Sequence, residues 1–157
     1  MSLTVDDVPE VARLAWIRLR DELRAILGED LVALWGHGGM TAPDPSAAHG
    51  DLDTYALVHR ATDEMTARRI EGAHAAIASE LGVEWDAWYV LADDARLPQS
   101  PAHVFRTGRR DTSWAIHRAY WLAGRYVHLY GQEPSAIVPT PTWAELDFDL
   151  QRELEHL

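Results

Sequence analysis

The chain of 157 residues contains no cysteine, which excludes disulfide bonds, thiol catalysis and zinc bound by cysteine. It also lacks any uninterrupted apolar run near the ~18–20 residues that a membrane-spanning helix needs. The first residues, MSLTVDDVPE, are acidic and have no apolar centre, so they do not resemble a secretion signal. We therefore expect a cytoplasmic protein with no membrane partner.

Positive charge is scarce in this chain. Lysine and arginine together number 14, against 25 aspartates and glutamates, which gives a formal net charge of −11. Nucleic-acid binding relies on clustered lysine and arginine, so this balance argues against a nucleic-acid partner. An acidic surface favours a cationic small ligand such as a polyamine or an aminoglycoside, although many cytosolic proteins are equally acidic.

Length and apolar periodicity predict one domain of the α+β class. A chain of this size, with 47% hydrophobic residues, fits a single domain. Three- and four-residue spacings predict helices over residues 5–27, 61–81, 114–123 and from 142 onwards. Apolar runs predict strands over residues 31–35, 52–59, 83–91 and 126–130. The link at residues 36–50 is rich in glycine and proline and holds no good helix, so we expect a small mixed β-sheet flanked by helices.

Two aspartates in the triplet Asp51-Leu52-Asp53 open the second predicted strand. Side chains alternate between the two faces of a strand, so Asp51 and Asp53 should point the same way. The glycine pair Gly38-Gly39 follows the preceding apolar run, and such a turn exposes backbone N–H groups. Carboxylates that face exposed N–H groups suit a divalent metal and phosphate, which suggests nucleotide chemistry.

A further acid, Asp86, lies in the third predicted strand, within WDAWYVL at residues 85–91. A carboxylate inside an apolar strand is costly unless it is paired, hydrogen-bonded or bound to a metal. If the two strands are neighbours, Asp86 joins Asp51 and Asp53 in a set able to hold two magnesium ions for phosphoryl or nucleotidyl transfer. The alternative is that Asp86 is an acid at the edge of a strand and faces water.

Other polar residues are weaker candidates for a site. His37 and His49 could form a transition-metal site with the aspartates, but oxygen ligands beside a glycine turn favour magnesium. Three arginines in the predicted loop 93–111 could meet phosphate or could be solvated loop charges, namely Arg106, Arg109 and Arg110. The remaining histidines show no metal-ligand spacing and are interpreted as ordinary surface or partly buried residues, namely His59, His74, His103, His117 and His128.

Three short motifs occur in order along the chain, namely LVALWGHGG, GDLDTYALV and WDAWYVL. Together they resemble the nucleotidyltransferase superfamily that includes DNA polymerase beta, whose signature is a glycine turn, an acid–apolar–acid triplet on a strand and a third acid on a later strand. The closer resemblance is to the N-terminal domain of bacterial aminoglycoside adenylyltransferases of the streptomycin/spectinomycin type. Residues 117–146 look like the segment after the catalytic sheet in those proteins, and the resemblance covers residues 30–150.

This resemblance implies a role for each motif. Gly38 and Gly39 would bind the triphosphate of ATP or another nucleotide through backbone N–H groups, and Asp51 and Asp53 would hold Mg²⁺. Asp86 would complete the metal site or act as the base that deprotonates the acceptor hydroxyl. The implied reaction transfers a nucleoside monophosphate, AMP from ATP, to a hydroxyl of a small molecule, and it releases pyrophosphate.

The interpretation of the chain as an enzyme or as a binding domain depends on its C-terminal region. The aminoglycoside enzymes continue into a helical domain that helps to bind both substrates, whereas this chain ends at Leu157. We expect residues 1–157 to form a single nucleotidyltransferase domain, in which residues 142–157 are the possible start of such a helical domain. The acceptor site would then be incomplete unless another subunit of a homo-oligomer supplies the rest. A degenerate or truncated domain that acts in binding or oligomerisation, or that modifies a protein partner, is the alternative.

Overall fold

The computed structural model describes residues 2–41 and 51–155. Its helices are α1 (Glu10–Leu27), α2 (Glu64–Leu81), α3 (Ala92–Ala95), α4 (Trp114–Leu122) and α5 (Trp143–Glu155). Its strands are β1 (Leu31–His37), β2 (Asp51–Val58), β3 (Glu84–Leu91) and β4 (Val127–Gly131). Short 3₁₀ turns occupy Val5–Asp7, Gly28–Asp30, Gly38–Thr41 and Pro134–Ala136.

These strands form one mixed sheet in the order β3-β2-β1-β4. β1 pairs antiparallel with both β2 and β4, while β2 and β3 are parallel. Parallel neighbours need a crossover connection, which here contains α2. The structure therefore confirms the predicted α+β class and the small mixed sheet flanked by helices.

The helices α1 and α2 cover one face of the sheet, and the core on that face is apolar. Trp16, Leu19 and Leu23 of α1 are completely buried there, in the same cluster as Leu34 of β1 and Leu52 of β2. Burying each such side chain stabilises the fold by about 1.5–3 kcal/mol relative to leaving it exposed. This face therefore contributes packing energy and holds the strands in register.

The helix α4 covers the other face, where the core is largely aromatic. Trp114 and Trp121 of α4 form a buried cluster with Trp35 of β1 and Tyr55 of β2. The Tyr55 and Trp121 rings lie 4.8 Å apart, in an edge-to-face arrangement, and such aromatic pairs add about 0.5–1.5 kcal/mol beyond their buried area. α4 is thereby held firmly over the centre of the sheet.

Polar contacts join α5 to the outer side of α4. The carboxylate of Asp149 accepts a hydrogen bond from the Ala115 backbone N–H at 2.8 Å, so it satisfies a donor of the first turn of α4. The buried guanidinium of Arg118 is paired with Glu145 and also donates to the Pro139 carbonyl oxygen at 3.2 Å. The position of α4 on the sheet is therefore fixed from both sides.

Several predicted elements have different ends in the structure. β1 continues to His37, beyond the predicted end at residue 35, because His37 pairs with Asp53 of β2. α1 begins at Glu10 rather than at residue 5, because Thr4 caps a separate 3₁₀ turn. Residues 42–50 of the predicted glycine-rich loop lie outside the described residues. None of the described helices is long and apolar enough to cross a membrane.

Candidate active site

Two of the three predicted acids lie side by side. Asp53 of β2 and Asp86 of β3 are partners in the parallel register, and their side chains are hydrogen-bonded to each other. Asp51 lies two residues before Asp53, so it is on the same face of β2, and its side chain is exposed at the start of the strand. Among the described residues, no group of three histidine or acidic side chains is arranged to hold a metal ion.

The environment of Asp53 disfavours its charged form. Partial burial raises the pKa of its carboxyl group, and the negative charge and hydrogen bond of Asp86 raise it further, to about 7. The neighbouring His117 opposes this shift. Two carboxylates in contact cannot both ionise without cost, so the pair favours a shared proton or a bound cation.

The predicted glycine turn lies directly against this acid pair. Gly38 has a φ of +82°, and a Cβ atom added there would lie 1.7 Å from Oδ2 of Asp53. The turn is closed by the Thr41 hydroxyl, which donates to the Gly38 carbonyl oxygen at 2.6 Å. Only glycine fits at position 38, both because of its φ and because of the adjacent carboxylate. Gly39 follows in the same turn and is exposed.

A cavity of about 290 Å³ joins these elements. Its walls are formed by His37, Gly38, Gly39, Thr41, Asp53, Asp86, Trp88, His117, Tyr120 and Arg125. Four of the five predicted site residues therefore line one cavity, and Asp51 lies outside its walls. The cavity combines acids that suit a cation with a glycine turn and an arginine that suit an anion.

A buried polar chain that the sequence analysis missed ends at this cavity. His117 of α4, interpreted from the sequence as an ordinary histidine, lies with Nδ1 2.6 Å from Oδ2 of Asp111. The same carboxylate accepts a hydrogen bond from the Tyr55 hydroxyl and, at 2.8 Å, one from the Ser113 backbone N–H. Tyr55 could have been placed on the acid face, since it follows Asp53 by two residues in a strand.

Within this series of hydrogen-bonded side chains, Asp111 and His117 stabilise each other's charged forms. Burial lowers the pKa of His117, but the hydrogen bond and charge of Asp111 and the charges of Asp53 and Asp86 outweigh it, so the net shift is upward. Burial raises the pKa of Asp111, but its bonds to His117 and other donors outweigh that effect, so its pKa is lowered. His37 is different, because burial and then the charge of His117 lower its pKa to about 3.

Some of the weaker candidates line a second cavity of about 460 Å³. Arg109 and Arg110 line this cavity, and the Arg109 guanidinium lies 5.1 Å from the centre of the Trp88 ring. Arg106 points elsewhere, toward Glu71 at 3.7 Å. Of the histidines considered for a transition metal, His37 is buried against His117, with ring centres 4.9 Å apart, and residue 49 lies outside the described residues.

Comparison with known proteins identifies the fold. No protein-family model and no curated protein matches the sequence. Among solved structures, the chain is similar to spectinomycin adenyltransferase AAD(9) from Enterococcus faecialis with ATP and spectinomycin, with a TM-score of 0.69 and 12% identity over 91% of this chain. The match covers 66% of that adenyltransferase, so this chain spans a little less than two thirds of its length.

A weaker similarity is to a Shewanella oneidensis complex of the tri-AMPylated HEPN toxin with the MNT antitoxin. Its TM-score is 0.43 with 11% identity, and it covers 92% of this chain and 88% of the other. The stronger match shows that the chain has the nucleotidyltransferase fold, as its sequence motifs indicated.

Proposed function

We propose that this protein is a magnesium-dependent nucleotidyltransferase that moves AMP from ATP to a hydroxyl of a small, aminoglycoside-like molecule. The observation that carries this proposal is the Asp53–Asp86 carboxyl pair, which lies beside the Gly38–Gly39 turn in the wall of one cavity. An acid pair and a glycine turn in one cavity match the needs of a cation-bound triphosphate. The adenyltransferase fold of the chain is consistent with this chemistry.

The acid pair suits magnesium by its chemistry. Burial and then the adjoining Asp86 carboxyl group raise the pKa of Asp53. A divalent cation would relieve the repulsion between the two carboxylates, and carboxylate oxygens are the ligands that Mg²⁺ prefers. Asp51, on the same face of β2, is the third acid proposed to hold the ion. When bound, magnesium would neutralise charge on the triphosphate and on the departing pyrophosphate.

The glycine turn would position the donor nucleotide. Backbone N–H groups of Gly38 and Gly39 are proposed to bind phosphate oxygens, and Arg125 on the cavity wall supplies a positive charge. The acceptor oxygen then attacks the α-phosphorus, the bond from that phosphorus to the bridging oxygen breaks, and pyrophosphate leaves. Asp86 either completes the metal site or takes the proton of the acceptor hydroxyl.

The nature of the acceptor is inferred from two properties. The net charge of −11 favours a cationic ligand, and the structural neighbour AAD(9) was solved with spectinomycin. A bacterial cytoplasm, where ATP and magnesium are abundant, is the proposed setting. A further helical domain after α5, or a second subunit, is proposed to complete the acceptor site.

Calorimetry of ATP binding with and without magnesium tests this function. We expect the wild-type protein to bind ATP only with magnesium, and Asp53→Asn to lose that binding. Asp21→Asn is the matched control, because Asp21 is an exposed aspartate on α1, which packs against the opposite face of the sheet. Release of pyrophosphate with spectinomycin or streptomycin then tests transfer. A wild-type protein that gives no magnesium-dependent heat with ATP would contradict the proposal.

One observation favours a second candidate function, in binding rather than catalysis. The helix α5 leaves large apolar side chains in contact with solvent, with Trp143 86%, Phe148 62% and Leu154 66% exposed. Such residues are typical of surfaces that contact another chain. A degenerate domain that oligomerises, or one that modifies a protein partner, would use them. Light scattering distinguishes the first case, and a labelled protein band after incubation of lysate with labelled ATP distinguishes the second.

A further inference from the structure

His117 lies on the wall that separates two cavities. The first cavity, of about 290 Å³, contains the glycine turn and Asp53. The second, of about 460 Å³, is lined by residues 108–113 of the loop before α4. Asp86, Trp88 and His117 line both cavities. A group on this shared wall can contact a donor in the first cavity and an acceptor in the second.

The His117 ring is held in one orientation by its buried partner. Its Nδ1 lies 2.6 Å from Oδ2 of Asp111, whose carboxylate is also fixed by the Tyr55 hydroxyl and the Ser113 backbone N–H. Since Nδ1 carries the proton that it donates to Asp111, Nε2 is the ring nitrogen left to react with a substrate. A histidine oriented in this way by a buried carboxylate is a common arrangement for a general base.

The other candidate for this role is already engaged. Asp86 is hydrogen-bonded to Asp53, its partner in the register, and the two together form the carboxyl pair that suits a cation. A carboxylate that binds magnesium is a weaker base than a free imidazole. The geometry therefore separates the two tasks that the sequence left to Asp86 alone.

We propose that His117 is the general base of the transfer and that Asp111 and Tyr55 are its positioning residues. The inference rests on the proposed function above. Nε2 of His117 takes the proton of the acceptor hydroxyl while the acceptor oxygen forms its bond to the α-phosphorus. The bond between that phosphorus and the bridging oxygen breaks, and pyrophosphate leaves with the electron pair. The imidazolium that results is stabilised by the Asp111 carboxylate.

The groups around His117 suit it to act as a base. The Asp111 carboxylate, 2.6 Å from Nδ1, stabilises the imidazolium that forms when Nε2 takes a proton. His37, which faces the ring from β1 with ring centres 4.9 Å apart, is held neutral because its own pKa is about 3, so it does not repel that imidazolium.

The test compares turnover with nucleotide binding in matched variants. Pyrophosphate release from ATP and magnesium is measured with spectinomycin as the acceptor and with water alone, between about pH 6 and 9. We expect His117→Gln to lower kcat by about 10²-fold or more and to keep the Kd for ATP within roughly twofold. Added imidazole should restore activity to His117→Ala, because it supplies the missing base. Asp111→Asn should lose about 10-fold, because the ring is no longer oriented.

The control is His59→Gln, an exposed histidine at the far end of β2 that should leave all these values unchanged. If His117→Gln fails to fold, Asp111→Asn decides, since a lower kcat with an unchanged Kd for ATP supports the proposal and wild-type turnover overturns it. Wild-type turnover in folded His117→Gln, while Asp53→Asn is inactive, would overturn this inference alone. A wild-type protein without activity toward any acceptor, water included, would overturn the proposed function and this inference together.

Discussion

The two faces of the sheet differ in what they bury, although the same strands form both. On the face covered by α1 and α2, the buried Thr54 hydroxyl accepts a hydrogen bond from Nε1 of Trp16 at 3.0 Å and donates one to the Leu52 carbonyl oxygen at 3.2 Å. The buried Tyr89 hydroxyl pairs with His74 at 2.7 Å, and the neighbours on this face are otherwise largely apolar. On the face covered by α4, Tyr55, Asp111 and His117 form a chain of buried ionisable groups. One face supplies packing and the other holds groups able to do chemistry.

This difference has a simple origin in strand geometry. Leu52 and Thr54 alternate along β2 with Asp53 and Tyr55, so one strand serves both purposes. Buried ionisable groups cost stability unless they are paired, and the apolar face provides packing that offsets this cost. Changes on the α1–α2 face should therefore affect folding, and changes on the α4 face should affect activity. The four predictions below test that separation.

The largest effect is expected for Asp53→Asn, on the α4 face. The amide has no charge to offer a divalent cation, so we expect AMP transfer to fall on the order of 10⁴-fold, equivalent to about 5.5 kcal/mol of barrier. The thermal midpoint should not fall, because the substitution also removes repulsion from Asp86. Steady-state kinetics and a thermal melt on the same sample measure both. A large loss of stability in this variant would contradict the separation of the two faces.

The next effect is expected for Trp16→Ala, on the α1–α2 face. Trp16 is completely buried, and truncation of a large buried aromatic typically costs about 3–5 kcal/mol of unfolding free energy. The loss of its bond to Thr54 adds to this cost. Urea unfolding measures the change, and turnover per folded molecule should stay near the wild-type value. Trp16→Phe, which keeps most of the ring packing, should lose less.

A pair of glycine variants gives a direct comparison of the faces. A Cβ atom at Gly36 would lie 2.6 Å from the Trp16 ring, and one at Gly38 would lie 1.7 Å from the Asp53 carboxylate. We expect Gly36→Ala to cost about 1–3 kcal/mol of stability by overpacking and to leave ATP affinity unchanged. Gly38→Ala should abolish magnesium-dependent ATP binding. Equal effects of both variants on ATP binding would show that the faces are not independent.

The smallest effect is a pH dependence of stability from Asp53. Its pKa is raised from 3.8 to about 7 on folding, so between these values the native state holds a proton that the unfolded chain has lost. The Asp53 contribution to stability should therefore fall as pH rises from about 4 to 7, by about 2 kcal/mol once partial solvent screening is allowed for. Burial lowers the pKa of His37 to about 3 and those of His74 and His103 to about 4, so these three histidines raise stability over the same range. The Asp53 contribution is therefore measured as the difference between wild type and Asp53→Asn in how the urea unfolding free energy changes between the two ends of this range. Magnesium at neutral pH should oppose this contribution.

Much of the fold and part of the site could be predicted from local patterns. The period-two alternation of β2 and β3 placed Asp51 and Asp53 on one face and put Asp86 on a strand that could neighbour them. The position of Gly38 could be recognised because its neighbours form an apolar run that ends in a glycine pair. His117 was interpreted as an ordinary surface or partly buried histidine, since nothing in its sequence neighbourhood indicates a carboxylate partner. His117 and Tyr55 are linked through Asp111, which is 56 residues from Tyr55 in the chain.

The amino-acid sequence by itself determined the strands, the glycine turn and the acids that share a face, because these follow from spacing between near neighbours. The tertiary structure decided which strands are adjacent and in what register, and so brought Asp53 into contact with Asp86. It also decided that α4 covers the acid face and turns His117 toward the shared wall of the two cavities. Those contacts depend on the packing of α4 against Tyr55 and Trp35. Because these residues are far from α4 in the sequence, no local sequence pattern indicates the contacts.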